Sequence, residues 1–401
     1  MAFFENVHCT GCSACYSICP ENCIKMVADE EGFLYPKIVE KEKCLDCKLC
    51  SECCPLIKEI DRKKDGYPKT YAAMNKNEDI RKKSSSGGIF YLLAEEIIFQ
   101  NGIVFGAKFS SEFSVIHGSE NTIKGIAEFY GSKYVQSTVG ETFRECKENL
   151  DGGKIVLYSG TPCQIEGLKA FLQCEYENLY CVDIICMSVP SPKLWEKYIN
   201  WQNLCYESTT QKISFRYKNP NWKQKSMRIE FNNGLVYLDR LSKDPYGRIF
   251  GSEIGSRYSC YDCRFRTINR SSDITIADFW GIGNILPEMD DDKGTSLIMV
   301  NTSKGENLFE KMNSKCKTMS VKIEDGIKFN QRAIKNKKYN LKELKKKREK
   351  LFKYLDVLPF DILVKKCVDD PIVIKGIKFI RRCFTKIKRI IKNMGTSLNK
   401  R

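Results

Sequence analysis

Ten of the chain's 21 cysteines lie between Cys9 and Cys54, and eight of these repeat one pattern. Cys9, Cys12, Cys15 and Cys19-Pro20 read C-x2-C-x2-C-x3-C-P, and Cys44, Cys47, Cys50 and Cys54-Pro55 read it again. A 4Fe-4S cube needs one thiolate per iron. Three cysteines spaced three apart wrap one corner, and the cysteine before proline turns away to ligate the other cluster. The spacing therefore assigns Cys9, Cys12, Cys15 and Cys54 to one cluster, and Cys44, Cys47, Cys50 and Cys19 to a second. Gly11, Ser13 and Ala14 are small enough to leave room for the first. Zinc sites use four ligands in two pairs and fit this pattern poorly. A disulfide framework fits worse: the count is odd, the chain is long, and no signal peptide is read ahead of Cys9. The expectation is an iron–sulfur protein of a reducing, cytoplasmic compartment. Cys23 and Cys53 fall outside the pattern and read as buried thiols. With His8 and His117 as the two histidines, a histidine-built zinc or haem site is not expected. A cluster pair moves single electrons and selects no substrate, so the rest of the chain must supply the second redox centre.

Three zones position that chemistry. Residues 1–56 are cysteine-rich, and residues 57–69 are polar with Gly66 and Pro68, as in a linker. Residues 70–330 read as an α/β body of mixed-sheet type. Strands are expected at 103–109, 154–158, 179–185, 226–231, 235–238, 274–279 and 297–300. Helices are expected at 88–100, 140–150, 162–173 and 191–204, the last capped by Ser191-Pro192. Residues 331–401 form a basic helical extension. Of the chain's 66 Lys+Arg and 50 Asp+Glu, the extension holds 23 and 6, which leaves 43 and 44 in residues 1–330. The body is thus neutral, which argues against a nucleic-acid-binding core. No run of about 18 uncharged apolar residues exists, so no membrane-spanning helix is expected.

Four further segments stand out in the body: Ser84-Ser85-Ser86-Gly87-Gly88, Ser159-Gly160-Thr161-Pro162-Cys163-Gln164, Cys186-Met187-Ser188-Val189-Pro190-Ser191-Pro192, and Cys260-Tyr261-Asp262-Cys263 followed by Arg270 to Gly281. Together they resemble the coenzyme F420 hydrogenase/dehydrogenase beta-subunit family over about residues 1–330. The resemblance implies a flavin-dependent oxidoreductase. It would bind FAD and pass electrons between iron–sulfur clusters, the flavin and a second acceptor, a deazaflavin in archaeal members. With its lysine-rich extension the chain is more similar to bacterial members associated with surface-polysaccharide synthesis. FAD rests on the resemblance alone, since no G-x-G-x-x-G is present. One departure matters: family members commonly read Cys-His-Gly-Val-Pro-Ser where this chain has Met187 and Ser188. Any role of that histidine cannot be carried over.

Each segment also has a reading of its own. Ser86, Gly87 and Gly88 precede an apolar helix, so their N–H groups and hydroxyl suit a phosphate, or else simply start that helix. Thr161 and Gln164 open a helix directly after a strand, in the crevice where α/β proteins bind ligands. Lys133, in Gly131 to Ser137, either faces a flavin or lies on the surface. Cys163, Cys186, Cys260 and Cys263 suffice for a third 4Fe-4S cluster; a redox-active Cys260/Cys263 pair and buried unligated cysteines are the alternatives. Asp278 and Trp280 end a strand, and Asp290 to Asp292 read as a solvated loop. No catalytic acid or base is assigned.

The functional expectation is an enzyme that passes electrons through these centres to an unidentified acceptor. A ferredoxin-type carrier with a docking domain is the alternative, and an interaction protein of a glycan assembly is a third. The partner is a redox protein, a small molecule or a glycan, not nucleic acid. Finally, Ile374, Ile377, Ile380, Phe384, Ile387, Ile391 and Met394 form one helical face with basic residues around it. That pattern suits peripheral binding of 372–394 to an anionic membrane surface. A packed helix, a partner helix and nucleic acid are the other occupants of that face.

Overall fold

The computed structural model describes residues 8–57, 66, 68–330, 334–335 and 339–369. Two short helices, α1 (Ala14–Ile18) and α2 (Leu49–Glu52), flank the antiparallel hairpin of β1 (Ile24–Ala28) and β2 (Leu34–Ile38). Both helices follow a residue with positive φ, Ser13 and Lys48, which turns the chain tightly around each cysteine run. This is a small ferredoxin-like unit.

The body begins with β3 (Lys69–Asn75), α3 (Glu78–Lys83), α4 (Ile89–Phe99), β4 (Ile103–Phe109) and β5 (Val115–Glu120). It continues through α5 (Thr142–Asp151), β6 (Val156–Gly160), α6 (Pro162–Leu172), β7 (Leu179–Ile184) and α7 (Pro192–Cys205). Then come β8 (Thr210–Tyr217), β9 (Ser226–Phe231), β10 (Val236–Arg240) and α8 (Pro245–Ser252). It closes with β11 (Ile274–Asp278), β12 (Ser296–Val300), α9 (Ser303–Lys311), β13 (Cys316–Ser320) and α10 (Ile323–Ile327). Helices α11 (Leu341–Leu355) and α12 (Phe360–Cys367) follow.

Eight strands form one mixed sheet in the order β13-β3-β12-β11-β7-β6-β4-β5. The centre, β11-β7-β6-β4, is parallel, and the flanking pairs are antiparallel. Its apolar strands are buried on both faces, as parallel strands between helices must be. Ile89, Leu93 and Ile97 of α4 and Leu308 of α9 fill one face. Phe143 and Leu150 of α5 and Ile165 and Leu168 of α6 fill the other, together with Ala14 and Cys53 of the cysteine-rich unit. That unit therefore shares a core with the body.

The strands expected at 226–231 and 235–238 exist, but they belong to a separate sheet, β10-β9-β8. This smaller sheet packs with α7, α8, α11 and α12 through Trp195, Tyr198, Phe215, Ile229, Leu351 and Phe360. The described part of the basic extension is thus helical and docked by its apolar stripe, with its lysines outward. The stretch 372–394 lies outside the described residues. No helix among those described is long and apolar enough to cross a membrane.

Candidate electron-transfer centres and cofactor cavity

Cys9, Cys12, Cys15 and Cys54 line one small cavity of about 70 Å³ with Gly11, Ser13, Met26 and Pro36. The fourth cysteine of the second run thus joins the first three of the first run. Burial pushes the Cys12 thiol up to about 12, and charges on Cys9, Cys163 and Cys54 add to the shift. The reciprocal crossing holds as well: Cys50 is raised by burial first and then by Cys47 and Cys19. Cys47 is exposed, so this outer quartet faces solvent. Cys23 and Cys53 are buried; the Cys23 sulfur lies 3.4 Å from that of Cys19. Gly11 has φ +68, and a Cβ there would sit 3.0 Å from Arg257 Nη1, Gln136 Nε2 and the Leu34 carbonyl. Only glycine allows that turn and that approach together.

A second group of cysteines forms at the carboxyl edge of the parallel strands. Cys163 stands in the first turn of α6, just past β6, and Cys186 follows β7, the neighbouring parallel strand. Thr161 and Gln164 make a reciprocal capping box that fixes this turn. Gln164 Nε2 also donates to Ser137 Oγ at 3.0 Å, and the Thr161 hydroxyl lies 3.1 Å from the Cys163 sulfur. The segments after Cys186 and before Cys260 run antiparallel, bridged at Pro190 and Ser256. This brings in Cys260 and Cys263. Burial pushes the Cys163 thiol far up, with Cys263, Cys186 and Cys260 adding to it. Cys260 is raised to about 11, chiefly by burial and then by Cys263. Arg266 and Arg270 pull Cys263 back down against its burial. Four such thiols hold no charge unless a cation holds it for them, which iron does. Among the described residues no three potential ligands converge on a single-ion site. Each quartet instead surrounds a space, which suits a cube with one thiolate per iron.

The two groups touch. A Cβ on Gly167 of α6 would lie 2.8 Å from Cys12 Cβ and 2.9 Å from its sulfur. Cys163 begins the same helix one turn away.

Cys163 and Cys186 also line a cavity of about 910 Å³. Its floor is the carboxyl edge of the central sheet, with Ser159, Gly160, Ile184 and Asp278. Ligands of α/β folds bind at this edge, and the volume lies near the top of the roughly 300–1,000 Å³ range of small-molecule sites. Ser86, Gly88, Lys133, Thr161 and Gln164 all line it. Gly87 does not: its N–H donates to Ser296 Oγ at 3.0 Å, and a Cβ would strike the Ala73 carbonyl at 2.5 Å. Ser86 Oγ donates to the Thr295 carbonyl at 2.8 Å, and Ser132 N–H donates to Ser85 Oγ at 2.7 Å. Lys133 Nζ donates to the carbonyls of Glu128 and Tyr130 at 2.8 and 3.0 Å, and burial pushes it down to about 7.

Residues that the sequence reading did not single out complete the wall. Arg216 of β8 pairs with Asp278, which also accepts from Trp222 Nε1 at 3.0 Å. Trp280 stacks on Trp222 at 5.0 Å, with Lys225 Nζ 4.2 Å from its ring centre. His117, read from sequence as structural, lines the cavity as well. The acidic run after Pro287 serves as loop staples, with Asp291 held by Arg81 and Asp290 by Lys223.

Residues 153–346 match the family model for the C terminus of the coenzyme F420 hydrogenase/dehydrogenase beta subunit. An uncharacterized ferredoxin of Methanocaldococcus jannaschii is 40% identical over 60 residues, which cover 14% of this chain and 75% of that protein. The chain belongs to the coenzyme F420 hydrogenase/dehydrogenase beta-subunit family. Membership in the beta-subunit family points to an iron–sulfur oxidoreductase with an electron-transfer role. A solved structure of the xenon-derivatised F420-reducing NiFe hydrogenase complex from Methanosarcina barkeri is also similar. It has a TM-score of 0.47 and 17% identity over 71% of this chain and 90% of that one. Within the beta-subunit match lie the third cysteine group and most of the small sheet.

Proposed function

We propose that this beta-subunit relative is an iron–sulfur flavoprotein oxidoreductase with a built-in electron path. Cys44, Cys47, Cys50 and Cys19 would hold an outer 4Fe-4S cluster at the surface. Cys9, Cys12, Cys15 and Cys54 would hold an inner one, and Cys163, Cys186, Cys260 and Cys263 a third beside the large cavity. FAD would occupy that cavity, with Ser86, Gly88, Thr161, Gln164 and Lys133 around it. Such a flavin exchanges electrons singly with clusters and in pairs with an organic acceptor. The chain's own residues would position it and exclude water. The observation that carries this reading is the contact of Cys12 with the helix that begins at Cys163, a residue of the cavity wall. A plain carrier has no use for a cavity of that size against its third cysteine group. The acceptor would be a small molecule, a glycan or a redox protein. Assistance to surface-polysaccharide synthesis on the inner face of a membrane is the setting that the bacterial resemblance suggests.

The third group is open to a direct test. Cys260→Ala in the full chain, purified without oxygen, should lose about four irons and keep the signals of the two N-terminal clusters. An unchanged iron count would overturn the third cluster and return the chain to the carrier reading.

A further inference from the structure

Arg257 is fully buried, and every partner it has among the described residues is neutral. Nε donates to the Cys9 carbonyl at 2.8 Å, one terminal nitrogen to Gln136 Oε1 at 3.0 Å, and the other to the Leu34 carbonyl at 2.9 Å. Its plane lies over the rings of Tyr35, at 4.1 Å, and Phe33, at 5.5 Å. It makes no ion pair with any described residue. A guanidinium stays charged at any physiological pH, and an isolated charge is not buried without compensation. The compensation must come from something at this junction that carries negative charge.

Both candidate sources are cysteine quartets. The carbonyl that Arg257 holds belongs to Cys9, first of the inner four. Its own carbonyl accepts the N–H of Cys260 at 3.0 Å. A cube held by four thiolates is anionic, and it gains one further negative charge on reduction. Gln136 ties the arrangement together, since its Nε2 donates to the Thr10 carbonyl at 3.0 Å while its Oε1 accepts from Arg257. Around the outer quartet the charges are exposed lysines and glutamates, which solvent screens. In the dry junction the same charge acts at lower dielectric and over a longer range.

Resting on the cluster reading above, we propose that Arg257 is a positioning residue whose charge holds the inner cluster's reduction potential above that of the outer cluster. The couple adds one electron; no bond breaks and no proton moves. Gln136 keeps the charge in place without cancelling it, which a glutamate at 136 would do.

The test is a redox titration of the anaerobically purified full chain, followed by electron paramagnetic resonance of the reduced clusters. Arg257→Met and Gln136→Glu should each lower the inner potential by about a tenfold change in the equilibrium, 59 mV for a one-electron couple. The outer potential should not move, and Arg257→Lys should keep most of the parent value. Should Arg257→Met lose its inner iron, the near-isosteric Gln136→Glu decides, because it keeps the hydrogen bond to Arg257. An unmoved inner potential in Gln136→Glu overturns the proposal alone. A parent protein without two N-terminal cluster signals removes the cluster reading and this proposal together.

Discussion

Burial decides what His117 does. Its ring stacks on Tyr158 at 5.6 Å, and desolvation pushes it down to about 4, so it is neutral near pH 7. Its Nε2 lies 3.0 Å from the Ser159 carbonyl, which can only accept, so that nitrogen carries the proton. Unfolded, the same group titrates near 6.5 and binds a proton that the folded state refuses. This contribution to stability is therefore complete above about pH 6.5 and is lost as the pH falls toward 4, by at most about 1.4 kcal/mol per pH unit. His117→Gln keeps a donor for Ser159 and has no proton to take up. Its melting temperature should gain on the parent's between pH 7 and pH 5; a constant gap would mean that the folded imidazole titrates freely. At the same scale, Cys19→Ser should extinguish the outer cluster built on Cys44, Cys47 and Cys50, although Cys19 belongs to the other run. Loss of the inner signal instead would refute the crossed assignment. The cysteines were readable from sequence because cluster chemistry fixes both residue type and spacing. Arg257 and Gln136 were not, because they act on backbone carbonyls brought in from distant segments, and no local spacing encodes that.

Helix α6 shows how one element serves two centres. Pro162 and the Thr161–Gln164 box start it at the sheet edge, and the bare face at Gly167 lets the Cys12 loop rest on it. An exposed helical glycine replaced by alanine gains about 1 kcal/mol. Here the new methyl meets Cys12 under 3 Å, and the sign reverses. Gly167→Ala should cost about 1–3 kcal/mol and disturb the inner cluster's spectrum, measurable by denaturant melts and paramagnetic resonance. A stabilised variant with an unaltered spectrum would show that the contact is slack. The central strands β4, β6, β7, β11 and β12 and helices α4 to α7 were legible because their apolar runs are continuous or 3.6-periodic. Strand β3 was not, since it opens on the polar Lys69-Thr70 at the end of the linker and continues with helix-favouring alanines. Strands β5, β8 and β13 are half polar, and their place in a sheet is set by partners far along the chain.

On the scale of the whole chain, the cysteine-rich unit is clasped by the body and by the C-terminal helices. Arg348 of α11 is 5% exposed and pairs through two nitrogens with Glu31 in the β1–β2 turn. It also donates to the Ser256 carbonyl and to Tyr261, beside Cys260. Arg144 adds a bond to the Ser17 carbonyl at 2.9 Å. The basic count of the C-terminal extension hid this, because a lysine-rich helix reads as solvated until its buried arginine is seen in place. Breaking a buried pair costs about 3–5 kcal/mol. Because Glu31 is 27% exposed, Arg348→Met should cost nearer ~2–3 kcal/mol and loosen the N-terminal unit first, seen as faster proteolysis between residues 8 and 57. Parental resistance would show that the clasp is dispensable. The central claim is an unbroken path from surface cluster to cavity-bound flavin, and one measurement addresses it most directly: the iron and flavin content per chain of the full-length protein purified without oxygen. Three clusters and one flavin predict about twelve irons and one FAD. About eight irons with no flavin would contradict the account and leave a two-cluster carrier.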